Sequence, residues 1–141
     1  MKYVEFELSD TISNQDMSVI ENGLNIFNDE NTGINDRKPL SVIVRDPATG
    51  ETLGGMLGRT SLGLLFIDLV YLPSGLRGNR IGSELLQRFE DEGRRRGCTS
   101  AVLYTINFQA PGFYEKHGWQ AFGQIDCLPE GTSRIFMTKK L

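Results

Sequence analysis

The densest chemistry in the sequence lies between Arg77 and Gly82. The stretch "LRGNRIGSELLQRFEDEG" sets Arg77, Gly78, Arg80 and Gly82 directly after a nearly all-apolar run and at the start of an amphipathic pattern. Glycine lets a backbone approach a ligand closely, and arginine adds positive charge. The first turn of a helix offers free N–H groups and the positive end of the helix dipole. Together these features can hold an anion such as a phosphate. The same residues also suit a plain turn in which Gly82 packs a helix against a sheet and the arginines are solvated. The nucleotide motifs GxxxxGK[ST] and GxGxxG are missing, and no alternating series of strands and helices accompanies the turn. A nucleotide-triphosphate binder therefore fits poorly.

Other reactive residues are few. Asp68 is the single charged residue of "LGLLFIDLVYLP", where a buried carboxylate needs either a cleft or a partner; an ion pair or an exposed strand face explains it equally. His117, the sole histidine, stands in "EKHG" at a helix end, where the dipole accounts for it. Cys98 and Cys127 have no CxxC spacing and no companion histidines, so neither a disulfide framework nor a zinc site is expected, and nothing nearby activates a thiol. Arg94, Arg95 and Arg96 close the helix that follows the turn. Each has an acid four residues earlier, in the pairs Glu90–Arg94, Asp91–Arg95 and Glu92–Arg96, which reads as helix stabilisation.

These residues need elements to position them. Tyr3–Leu8 alternates as a strand, and a helix capped at Ser13 or Asn14 follows with Met17, Ile20, Leu24 and Phe27 in phase. The polar stretch from Asn28 to Pro39 reads as a loop. Two strands surround the turn "DPATG", where Pro47 and Gly50 supply turn dihedrals, and the apolar run ending at Pro73 reads as a central strand. Ile81, Leu85, Leu86 and Phe89 form the apolar stripe of the next helix, which Gly97 ends. "TSAVLYTIN" is a further strand, "APGFYEKHG" a short helix, and the last 22 residues a hairpin around "PEG".

At 141 residues, with 39% hydrophobic and 23% charged residues, the chain is expected to form one domain, 1–141, with one core. A net charge of −3 argues against nucleic acid as a bulk electrostatic partner, and no apolar run approaches the ~20 residues of a membrane span. The opening does not resemble a signal peptide, so a cytoplasmic location is expected.

Two segments carry a family resemblance. "LRGNRIGSELLQRFEDEG" resembles the acetyl-CoA-binding motif of the GNAT superfamily of N-acetyltransferases, in which Arg or Gln, two residues, Gly, one residue, and Gly or Ala follow in order. Arg77 fills the first position and Gly82 the last; Arg80 stands where the family most often has its middle glycine. "NFQAPGFYEKHGW" is similar to a later family motif through Asn107, Ala110, Tyr114, Gly118 and Trp119. The resemblance spans nearly the whole chain. It implies an α/β (α+β) fold of GNAT type, with a central mixed, mostly antiparallel sheet of about seven strands flanked by helices.

The resemblance also implies a chemistry. The fourth and fifth strands would splay, with the pantetheine arm of acetyl-CoA bound along the backbone of Val70, Tyr71 and Leu72. The pyrophosphate would rest on Arg77, Gly78, Asn79, Arg80, Ile81, Gly82 and Ser83, and Asn107 would contact the cofactor at the opening. Acetyl would pass directly from the thioester to a primary amine of a small molecule, peptide or protein. Tyr114 is the candidate acid for the leaving sulfur and Asp68 the candidate base or water-positioning group, with no metal involved. A non-catalytic acyl-CoA sensor with the same fold is the competing function class. A homodimer is a family-level expectation.

Overall fold

The computed structural model describes residues 3–78 and 80–141, which form two compact units, Met1–Asn35 and Asp36–Leu141. In the first, helix α1 spans Asn14–Thr32. Ser13 caps it, its hydroxyl accepting from the Asp16 amide at 3.0 Å, and Gly33 ends it in the left-handed conformation. The helix therefore runs through Asn28–Thr32, where the polar composition reads as loop. The side chains of Asn31 and Thr32 donate back to the carbonyls of Phe27 and Asn28, so polar residues here support the last turn. Tyr3–Leu8 is not a strand in the structure. Alternation assigns side chains to two faces, but a strand exists only as part of a hydrogen-bonded ladder.

The second unit is a sheet of six strands: β1 (Lys38–Arg45), β2 (Thr52–Ser61), β3 (Leu64–Tyr71), β4 (Ser100–Ile106), β5 (Gln120–Asp126) and β6 (Ser133–Lys140). Their order is β1-β2-β3-β4-β6-β5. All neighbours are antiparallel except β3 and β4, which are joined by helix α2 (Ile81–Arg95) as a crossover. Helix α3 (Pro111–Lys116) connects β4 to β5. The expected mostly antiparallel, helix-flanked sheet is thus present, with six strands among the described residues instead of about seven.

Local sequence explains the connections. Asp46 accepts from the Ala48 amide in the β1–β2 turn, and Gly50 takes a positive φ there. Leu62 and Gly63 both have positive φ and form the two-residue turn between β2 and β3. The apolar stripe of α2, Leu85, Leu86 and Phe89, is buried against Met56, Leu65, Ala101 and Met137 of the sheet. Gly58 makes this contact possible. A Cβ there would fall 1.8 Å from the Phe66 carbonyl oxygen and 3.0 Å from the Phe89 ring.

The arginines at the end of α2 do more than stabilise the helix. Arg96 Nη1 donates to the carbonyl of Pro39 and to the hydroxyl of Thr60, tying the helix to β1 and β2. The expected Asp91–Arg95 pair does not form: Asp91 pairs with Arg94, and Arg95 joins Arg96 on Glu92. These two guanidiniums hold the Glu92 carboxyl down at about 2.

Candidate active site

The site begins with a fault in the sheet. Along β2 and β3, Leu57 faces Leu69 while Gly58 faces Ile67, so Asp68 is an extra residue with no partner, a β-bulge. A bulge bends its strand and increases the local twist. β3 and β4 pair only from Leu64–Ser100 to Phe66–Val102, and the two strands part just where the bulge begins. Beyond that point β3 keeps its ladder with β2, while β4 pairs with β6 out to Ile106. The backbone of Val70 and Tyr71 therefore has no strand on its β4 side, and a linear amide-bearing ligand can take that place.

The N-terminus of α2 lies past the open end of β3. Among the described residues no side chain caps this helix; Glu84 is the first to donate into it, bonding the Arg80 carbonyl, which leaves the amides of Ile81, Gly82 and Ser83 with no acceptor in the helix. Arg80 holds φ +69 and ψ 2, the left-handed conformation in which glycine is normally found. This explains the departure from the motif: arginine adopts the backbone geometry of the usual glycine and brings a positive charge with it. Gly78 also has positive φ. Arg77 Nε donates to the Leu72 carbonyl at 2.9 Å, tying the turn to the end of β3. Asn79 falls outside the described residues.

The second motif meets the first at Gly82. A Cβ on Gly82 would sit 3.4 Å from the Phe113 ring and 3.7 Å from Leu72 Cδ1, so the end of β3, the start of α2 and the start of α3 converge on this one residue. Helix α3 opens with Pro111 at its first turn, where a missing N–H is harmless. It carries Tyr114 inward, 6% exposed, with its ring edge-on to Phe113 and Trp119. Burial pushes the Tyr114 hydroxyl up to about 12, so it keeps its proton throughout the neutral range. Trp119 Nε1 donates to the buried carboxylate of Glu90, which also binds Lys139; this joins α2, the end of α3 and β6 behind the site.

Two predicted residues have partners that sequence spacing does not reveal. Asp68 receives Arg59 Nη1 on both carboxylate oxygens, at 2.8 and 2.9 Å, and the Arg59 guanidinium lies 4.0 Å from the Phe66 ring centre. Asn107, just past β4, donates to the Gly131 carbonyl at 2.8 Å and accepts from the Ser133 amide at 3.2 Å. It thereby anchors the β5–β6 turn and lines a cavity of about 470 Å³ with Asp126, Cys127 and Glu130. His117 reaches Ser83 through Nε2 at 3.0 Å, a contact across 34 residues. The buried Cys98 thiol is pushed up by desolvation, which makes it a poor nucleophile.

Residues 12–119 match the acetyltransferase (GNAT) family. The chain belongs to the GNAT acetyltransferase family. It is 31% identical over 137 residues to acetyltransferase Atu2258 of Agrobacterium fabrum, covering 97% of this chain and 99% of that protein. A crystal structure from Agrobacterium tumefaciens superposes with a TM-score of 0.91 at 30% identity, covering 98% of this chain and all of that one. The PaiA N-acetyltransferase of Thermoplasma acidophilum, solved in complex with coenzyme A, shares the fold, with a TM-score of 0.58 at 21% identity over 86% of this chain and 70% of that one. Among the described residues of this GNAT protein no helix is long and apolar enough to cross a membrane, and no group of three His, Cys, Asp or Glu residues is placed to hold a metal.

Proposed function

We propose that the protein is an N-acetyltransferase that moves acetyl from acetyl-CoA directly to a primary amine. The observation that carries this reading is the parting of β3 and β4 at the Asp68 bulge, beside an α2 N-terminus that no side chain among the described residues caps. The two features match the two ends of the cofactor. An unpaired strand edge suits the amides of a pantetheine arm, and free helix amides with Arg80 suit a pyrophosphate. Gly82 leaves the first turn of α2 without a side chain toward α3. On these grounds the residues fit the group, and a structure of the same fold holds coenzyme A.

When bound, acetyl-CoA supplies an acetyl group activated as a thioester. The chain's own residues have three tasks. The backbone of Val70, Tyr71 and Leu72 orients the arm, and the turn from Arg77 to Ser83 neutralises phosphate charge. Asp68 draws an ammonium toward the bulge and accepts or relays its proton, directly or through water. This matters because an amine with a pKa near ~10.4 is free base at only about one part in 2,500 at pH 7. Tyr114 offers a hydroxyl that is still protonated to the sulfur as negative charge grows on it.

A panel of primary amines incubated with acetyl-CoA, read by thiol release and by mass spectrometry, tests the reading. An acceptor gaining one acetyl group with equimolar thiol is the expected result. Tight acetyl-CoA binding with no product on any amine would overturn it in favour of an acyl-CoA sensor.

A further inference from the structure

We propose that His117 is a positioning residue for the phosphate cradle, acting through Ser83 so that coenzyme A binds with uptake of a proton. The proposal rests on the cofactor reading above and adds a residue that neither motif position nor helix-end electrostatics assigns to it. His117 is half-buried, with Nδ1 2.9 Å from the Phe113 carbonyl oxygen and Nε2 3.0 Å from the Ser83 hydroxyl. Its ring leans on Phe113 at 4.6 Å, and Phe113 is the residue that Gly82 abuts. The imidazole is therefore wedged between α3 and the first turn of α2.

The directions of the hydrogen bonds follow from the groups. A carbonyl can only accept, so Nδ1 carries the proton of the neutral ring. Nε2 is then an acceptor, and Ser83 donates its single hydroxyl proton to it. In that state Ser83 has nothing left to donate to an anion. Once the ring gains a second proton, Nε2–H donates to the Ser83 oxygen, and the hydroxyl proton turns outward. Ser83 is the third residue of α2, beside the free amides of Ile81 and Gly82. A phosphate there gains a donor only when His117 is an imidazolium, and the charge of the ring acts in the same sense.

The remaining charged groups around the ring are accounted for. Lys139 of β6 donates Nζ to the His117 carbonyl at 2.7 Å and is itself neutralised by Glu90 of α2 at 2.7 Å. Glu115 and Lys116 precede it on α3, Arg80 stands at the start of α2, and Glu84 is paired with Arg88. Among these described groups no carboxylate bonds the imidazole, so a bound phosphate meets no competing anion on the ring.

The test uses free coenzyme A and the intact chain. Calorimetry at pH 5.5 and pH 8, in buffers of different ionisation enthalpy, gives affinity and proton uptake together. Because the chain has one histidine, its ring signals in long-range ¹H–¹⁵N spectra are unambiguous. The expected result is binding about tenfold tighter at pH 5.5 than at pH 8, proton uptake at intermediate pH, and ring signals moving toward the imidazolium form when coenzyme A is added at pH 7. Ser83→Ala should lose most of the pH dependence and of the spectral response. His117→Gln should leave only the pH dependence that the 3′-phosphate of coenzyme A, with its second pKa near ~6, brings by itself. An unchanged ring spectrum on saturation, or a full pH dependence in Ser83→Ala, overturns the proposal. Failure of the wild type to bind at any pH overturns the cofactor site itself, and is distinguished because the variants then have nothing to alter.

Discussion

Replacing Arg80 by glycine separates two roles that one residue combines. Arg80 is at φ +69, ψ 2 with a side chain, a conformation that costs an L-residue about 1–2 kcal/mol. Glycine removes that strain but adds about 0.5–1 kcal/mol of unfolded-state entropy. The net expectation for Arg80→Gly is a gain of about 0.5–1 kcal/mol in stability, or a rise of roughly 2–3 °C in Tm for a chain of this size. Removing the guanidinium also takes a cation from the start of α2, so coenzyme A should bind about tenfold more weakly, equal to about 1.4 kcal/mol. That loss should shrink as salt is raised, since exposed charges are screened. Arg80→Ala is the control: it loses the charge but keeps a Cβ at positive φ, so affinity falls equally while Tm does not rise. Differential scanning calorimetry and titration calorimetry read the two effects. Arg80→Gly melting below both wild type and Arg80→Ala would refute the strain argument, and an unaltered Kd would refute the role of Arg80 in the cradle.

Tyr114→Phe should lower kcat by about a hundredfold, the scale of losing one preorganised donor, while leaving coenzyme A affinity within about twofold; an unchanged kcat removes the donor role. At Gly82, alanine meets Phe113 and Leu72 at ordinary contact distance, whereas leucine must displace one of them. Coenzyme A should bind Gly82→Ala almost as the wild type and Gly82→Leu more than about tenfold less tightly, and equal affinities would sink the cradle. Asp68→Asn keeps the size of the bulge residue but removes its charge. With a cationic acceptor, KM should rise and the fall of rate toward low pH should steepen, and a pH profile identical to wild type would exclude Asp68 from proton handling. Glu92 has a folded-state pKa lowered from 4.5 to about 2 by Arg95 and Arg96. Its stabilising effect is full above pH 4.5 and lost as pH falls toward 2. The stability difference between wild type and Glu92→Gln in urea unfolding should close over that window, and a constant difference would contradict the assignment.

What could be read from the sequence was local. The Asp46–Gly50 turn, the apolar stripe of α2 and the Pro111 start of α3 each follow from neighbouring residues, and the structure has all three. The proposal that the turn from Arg77 to Ser83 is an anion site rests, at the level of sequence, on a second motif standing at a fixed distance from it. What escaped depends on register. Nothing in "LLFIDLVY" marks Asp68 as an unpaired bulge, since that is a relation to Leu57 and Gly58 on another strand. Arg59 meets Asp68 only because β2 and β3 pair with that offset. His117 meets Ser83 because the end of α3 packs against the first turn of α2, across a gap of 34 residues in sequence. The extension of α1 through Asn28–Thr32 escaped for the opposite reason: side chains that compete with helix backbone in general here bond carbonyls of their own last turn.

In the proposed reaction, burial of the Tyr114 hydroxyl constrains the proton pathway. A buried hydroxyl raised to about 12 would give its proton to a thiolate of ordinary pKa, near ~8.5, only against the gradient. Tyr114 can therefore stabilise charge on sulfur by donating a hydrogen bond, while the proton that finally neutralises the thiolate comes from solvent or from the reacting amine. The amine has a proton to give, because attack by a neutral nitrogen creates a far more acidic ammonium at the reacting centre. On this account Asp68 is not required to be a strong base. Its half-exposed carboxylate, fixed by Arg59 at the point where β3 bends away from β4, need only gather the incoming cation and pass on a proton that the reaction itself makes acidic. On the proposed reading, one bulge both opens the gap between β3 and β4 for the cofactor and sets a carboxylate beside it, and the chemistry asks of that carboxylate position more than basicity.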